Sequence, residues 1–143
     1  MTRQKYVEDK TVWNGTFAHC FVNGRELLTL QKIETRDEIE YENIAQPGRL
    51  RDGRKMKGVK GKGEFTILTV DKILARELSQ QLDRGEQPEV EIQATNDDPA
   101  SNDAAYMAFY GCSIDAIDYI VGGAHEVVEE KYSFEYSGRE WLN

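Results

Sequence analysis

Apolar and polar residues alternate with period two through most of this chain, and that pattern commits it to strands rather than helices. Thr16–Val22 sets Phe17, His19 and Phe21 against Ala18, Cys20 and Val22. Asn23-Gly24 follows at once, and both residues tolerate the positive φ that a two-residue hairpin turn demands. Glu26–Tyr41 reads as a second, unusually long strand, with Ile33, Ile39 and Tyr41 on one face and Glu34, Glu38, Glu40 and Glu42 on the other. Glu64–Val70, Glu89–Thr95, Ala105–Ile117 and Val127–Tyr136 continue the strand character. Within Glu89–Thr95, Val90, Ile92 and Ala94 oppose Glu89, Glu91 and Gln93.

One segment changes period. Leu74, Leu78 and Leu82 recur at helical spacing, Asp71 can cap a helix from Lys72, and Arg84, Gly85 and Pro88 end it. About six strands and one helix, mostly locally connected, predict a mainly β fold: an antiparallel β-barrel or sandwich with one flanking α-helix. A length of 143 residues fits one domain over 1–143, with residues 1–12 a loose N-terminal arm.

Residues 43–63 do not fit this pattern. They hold Pro47, five glycines and almost no apolar periodicity, which predicts a long loop. Inside it sits a cationic island: Arg49, Arg51, Arg54, Lys55, Lys57, Lys60 and Lys62 against Asp52 alone. The island carries +6 in a chain of net charge −8, which leaves −14 elsewhere. Such a distribution implies electrostatic pairing with a polyanion or with the acidic face of another copy.

Residue chemistry gives little support for catalysis. Gly48-x-x-x-x-Gly53 continues as Arg54-Lys55 and lacks the lysine and hydroxyl of a phosphate loop. His19, His125, Cys20 and Cys112 have no zinc-ligand spacing, and Asp97-Asp98 before Pro99 is turn chemistry rather than a calcium loop. Two cysteines are too few for a disulfide scaffold, and Met1–Lys10 has no apolar core of a signal peptide. The expectation is a cytoplasmically made, non-enzymatic protein without catalytic, cofactor or metal residues, and without stable membrane association.

Three functions compete on this pattern. A self-assembling structural protein would use the island as an inter-subunit element. A nucleic-acid-binding module would use Arg49–Lys62 on phosphates, although residues 43–63 contain no aromatic ring to stack a base. A small β-barrel enzyme or carrier would need a closed apolar cavity.

The ordered set of segments resembles the XkdM-like phage tail tube proteins of contractile tails and phage-tail-like bacteriocins. The residues carrying the likeness are NGTFAHCFVNGREL (14–27), GRLRDGRKMKGVKGKGEFTI (48–67), LDRGEQPEVEIQATNDD (82–98) and VVEEKYSFEY (127–136). The resemblance implies a small barrel or sandwich flanked by a helix. It implies hexameric rings stacked into a tube inside a contractile sheath, with residues 43–63 reaching an adjacent subunit or ring. It also implies the tail sheath protein, baseplate and tail terminator as partners, and DNA only as passing cargo. The particle would be a virion tail, a phage-tail-like bacteriocin or a related contractile injection system. A conduit for DNA favours a lining that does not trap phosphate. The lumen-facing candidates are therefore Glu34, Glu38, Glu40 and Glu42, or Glu89 and Glu91 with Gln93.

Overall fold

The computed structural model describes residues 8–143. In chain order the elements are β1 (Ala18–Val22), β2 (Arg25–Glu26), β3 (Leu30–Ile44), β4 (Gly53–Leu68), α1 (Ile73–Asp83), β5 (Glu89–Asn96), β6 (Ala105–Ile114), β7 (Glu129–Tyr136) and β8 (Gly138–Trp141). All strands join one antiparallel sheet in the order β2-β1-β5-β6-β7-β4-β3, with β8 alongside β6. The sheet curls until β1 touches β3. The fold is mainly β, with one short helix, as the alternation predicts.

The Asn23-Gly24 turn forms with φ of 52° and 82°, joining β1 to β2. Its second strand stops at Glu26, however. Leu27 turns inward, its N–H donating to the Cys20 carbonyl, and β3 starts afresh at Leu30. The single strand expected over Glu26–Tyr41 is therefore two, and they pair with different neighbours. Helix α1 starts one residue later than expected. The Asp71 carboxylate accepts the Ile73 N–H at 3.1 Å, and Gly85 and Glu86 close the far end on the Leu82 and Gln81 carbonyls.

The core lies on one face of the sheet. Cys20, Val22, Phe65, Val90, Ile92, Phe109, Cys112, Tyr132 and Phe134 fill it, and Leu74 and Leu78 of α1 pack there. Leu82, expected on the same stripe, is half exposed because the helix runs past the edge of that cluster. β8 was not anticipated. It continues the ladder of β7 along β6 beyond Ser137, which lies opposite Gly111.

The largest correction concerns residues 43–63. They are not a loop: β3 runs to Ile44, β4 begins at Gly53, and only residues 45–52 connect them. The two strands pair from Leu30↔Ile67 out to Ile44↔Gly53. β7 accompanies β4 only as far as Gly61↔Tyr136, so the outer part of this hairpin stands beyond the body. The loose arm expected over 1–12 falls mostly outside the described residues. Within them, Asp9–Thr11 form one 3-10 turn, and Trp13 Nε1 donates to the Asp103 carbonyl at 3.1 Å.

Candidate assembly surfaces

The projecting hairpin has two unlike faces. Glu34, Glu38, Glu40 and Glu42 alternate along β3 and share a face with Lys55, Lys60, Lys62 and Glu64 on β4. Glu38 sits opposite Lys60 and ion-pairs with Lys62 at 3.1 Å, while Lys60 approaches Glu40 at 3.9 Å. The Lys62 ammonium holds the Glu38 carboxyl below its ordinary value. Glu34 is paired with Lys32 at 3.1 Å. Two lysines of the cationic island and two glutamates of the acidic stripe, expected as separate devices, thus pair across one pair of strands.

Only part of the island stays together. Arg49 and Arg51 lie in the tip, and Lys57 is the extra residue where the register shifts between Glu40 and Tyr41. Arg54 lies on the other face, its guanidinium 3.7 Å from the centroid of the Tyr41 ring. Apart from Arg54 and its register partner Asn43, the outer part of that face is apolar: Ile39 pairs with Val59 and Tyr41 with Met56, all exposed. Exposed ion pairs of the first kind contribute ~0–1 kcal/mol each, too little to hold a lone hairpin in water. Two isolated strands are marginal on their own. An outlying hairpin with an apolar face is a surface awaiting a cover.

The hairpin root is braced. Tyr136 donates its hydroxyl to Asp37 at 2.5 Å, and Arg139 Nε donates to the other carboxylate oxygen at 2.6 Å. These bonds hold the Asp37 carboxyl below its usual range, Tyr136 first and Arg139 second. Burial, with the Asp37 bond, pushes the Tyr136 hydroxyl up. Asp37 belongs to β3 and Tyr136 to β7, with β4 between them. The contact exists because Gly61 lies under the Tyr136 ring and Gly63 under the Phe134 ring, where any Cβ would collide with those rings. Glycines that look like loop residues are gaps cut for aromatic side chains.

Glu89 and Glu91 lie on β5 and are exposed, while their neighbours Val90 and Ile92 are buried in the core. Glu34, Glu38, Glu40 and Glu42 likewise point away from the core side that carries Ile33 and Phe65. Both acidic stripes therefore occupy one face of one sheet, opposite α1. Glu129 and Glu135 of β7 join them there. Sequence reasoning missed these two, although they alternate with the apolar residues of β7 in the same way.

The cysteines and His19, the reactive side chains singled out in the sequence, are held in structural settings. Both cysteines are fully buried, and burial pushes each thiol up to about 12, far from a reactive thiolate. His19 is bracketed by Glu26 at 3.0 Å and Asp97 at 3.5 Å. No group of three metal-ligating side chains occurs among the described residues. A depression of about 650 Å³ lies on the charged face between Arg36, Lys62, Glu64, Asp115 and Glu135; it is open and polar. The alternation of Lys55, Lys60 and Lys62 with glutamates also breaks up any continuous cationic track for a phosphate backbone. No helix among the described residues is long and apolar enough to cross a membrane.

Residues 5–143 match the model of a protein family described as "Phage tail tube protein". No curated protein matches the sequence. Among solved structures, a chain of the "Virion of native gene transfer agent (GTA) particle" is similar with a TM-score of 0.64 and 13% identity, covering 91% of this chain and 98% of that one. A chain from the "Tail of empty GTA particle computed with helical refinement, C6 symmetry" gives 0.62 and 14%, with the same coverage of 91% and 98%. A chain from the "anti-feeding prophage cap (AFP tube terminating cap)" gives 0.62 and 8%, covering 99% and 94%. At these identities the likeness establishes the fold.

Proposed function

The chain belongs to the phage tail tube protein family, and from that premise we propose that it assembles into hexameric rings which stack as the inner tube of a contractile tail or tail-like particle. Its role is structural and its place is the tail of the particle. Residues 1–143 act as one tube domain without an enzymatic task. The single observation that carries the reading is the β3–β4 hairpin, whose apolar face of Ile39, Tyr41, Met56 and Val59 stands uncovered beyond the body. In a monomer such a surface is a hazard; covered by a neighbouring copy it is an interface.

The acidic face has the matching geometry for a bore. Core and helix occupy one side of the sheet, so a ring with α1 outward turns Glu34, Glu89, Glu91 and their neighbours inward. Confined carboxylates repel phosphate, which lets DNA pass without being held. Six copies per ring is supported by a solved relative described as a tail with C6 symmetry. The tail sheath protein would then meet the helical side, and baseplate and tail terminator the two tube ends.

Electron microscopy and light scattering of the concentrated, purified full chain test this reading. Rings or tubes with six-fold end views are expected. Monomers at every concentration and salt tried, with and without a tube fragment as initiator, would overturn it.

A further inference from the structure

Between β6 and β7 the chain runs through residues 115–128 without regular structure, at the end of the sheet remote from the hairpin tip. This strap is tied to the body at its two roots. At the first, the Asp115 N–H donates to the Ser133 carbonyl at 3.0 Å, and the Asp118 carboxylate accepts the Lys131 N–H at 3.3 Å. The Asp118 carbonyl accepts from the Lys72 ammonium, also at 3.3 Å. At the second, the Val128 carbonyl accepts the Thr69 N–H at 2.9 Å. Residues 119–127 between them make one turn of their own, from the Glu126 N–H to the Gly123 carbonyl, and no other hydrogen bond among the described residues. Ile120 there is 93% exposed, with Tyr119 and Val121 half exposed beside it.

Both roots stand beside an apolar groove of about 140 Å³, lined by Leu28, Ile67, Val70, Ile73, Leu74 and the buried Glu130. Lys72, which holds Asp118, also pairs with Glu130. Thr69, which holds Val128, directly precedes Val70 of the groove wall. Leu28 and Val70 are left 85 and 75% exposed. A cavity of roughly 150 Å³ accommodates a benzene-sized apolar group, so one large aliphatic side chain fits. Ile120 lies two residues beyond Asp118, within about 7 Å of that anchor at ~3.3 Å per residue. A swing that brings it to the groove leaves the sheet and α1 in place. Gly122-Gly123 supplies the bend, since a Cβ at Gly122 would meet nothing within 4 Å.

Each root also carries an unsatisfied polar group. The Thr69 and Tyr132 hydroxyls are buried without a hydrogen-bond partner among the described residues. Tyr132 lies near Glu130, Asp118 and Tyr119, yet its hydroxyl makes no bond of proper geometry to Glu130. A buried hydroxyl left unpaired is costly, so both roots favour an arrangement in which strap backbone moves to meet them. Charge permits the same movement. Glu26 and Asp71 flank the groove, while Tyr119–Ala124 carries no charge for them to repel. An exposed apolar side chain and an uncovered apolar groove thus sit within reach of each other on one chain.

We infer that residues 119–127 form a lid that closes over this groove and seats Ile120 between Leu28, Val70 and Ile73. Lys72 and Glu130 are the anchor about which it swings. The inference goes beyond the tube reading and does not rest on it, since the contact lies within one chain. The test uses the full, unassembled chain carrying Ile120→Cys and Val70→Cys under mild oxidation; Cys20 and Cys112 are fully buried. An intramolecular disulfide is expected, at a rate independent of protein concentration. It should form at least about tenfold faster than in Ile120→Cys paired with Leu82→Cys, near the far end of α1, because closure raises effective concentration. Equal rates in the two pairs overturn the lid. Cross-linked dimers in place of the internal bond, with a yield that rises with concentration, assign the groove to a second copy and overturn it too. Independently, amide exchange of residues 119–124 should quicken at least about threefold in Ile120→Asp, which holds the lid open. Unchanged exchange removes Ile120 from the groove.

Discussion

Gly58 and Gly61 lie three residues apart on β4 and make opposite predictions. A Cβ at Gly61 runs into the Tyr136 ring, which cannot swing aside without giving up Asp37. Gly61→Ala should therefore cost about 1–3 kcal/mol, the usual cost of forced overpacking. At Gly58 the nearest atom is the mobile Glu40 Oε2 at 3.9 Å, so Gly58→Ala should be neutral or slightly stabilising. Urea midpoints with unchanged slopes would report both. Equal costs at the two sites would contradict the account of the hairpin root. Asp37 adds a pH dependence of definite sign. Its carboxyl is held below 3.8 in the folded chain, so the brace contributes fully above that value and fades as pH falls through the lower folded value. The melting difference between wild type and Asp37→Asn should thus be largest near neutrality and shrink below pH 3.8. A difference that stays constant from pH 7 to pH 3 would remove Asp37 from the brace.

At the scale of the element, the hairpin is expected to separate folding from assembly. Ile39 and Val59 face each other at 47 and 53% exposure, beyond the reach of the core. Replacing both by serine should change stability by no more than about 1 kcal/mol, the range of one cross-strand pair. The same variant should lose tube formation, as scored by pelleting and microscopy. Tubes at normal yield would mean the apolar face is not covered by a neighbour. This element was also the least legible in the sequence. The Asn23-Gly24 turn, α1, β5, β6 and β7 followed from alternation and turn chemistry because each buries one face. The outer hairpin buries neither: β3 still shows its period through Ile39 and Tyr41, but on β4 the extra residue Lys57 sets Met56 and Val59 three apart and breaks it. Glycine and lysine there imitate a loop. The available signal was Gly61 and Gly63 at alternate positions, opposite the later aromatics Phe134 and Tyr136, and it becomes readable only once strand pairing is known. The acidic stripes were legible one by one; their sharing a face depends on sheet order, which alternation does not encode.

For the whole molecule, one sheet carries a core and helix on one side and carboxylates on the other, with an uncovered apolar hairpin face at one end. The apolar hairpin face is unfavourable alone, and the proposed stacked rings would cover it with a neighbouring copy while leaving the carboxylates toward water in a bore. Helical reconstruction of tubes grown from the purified chain tests this most directly. The account predicts six subunits per ring, Glu34, Glu89 and Glu91 lining the bore, and α1 on the outside. A bore lined by α1 or by the arginines of residues 49–54, with those carboxylates on the outer surface, would contradict it.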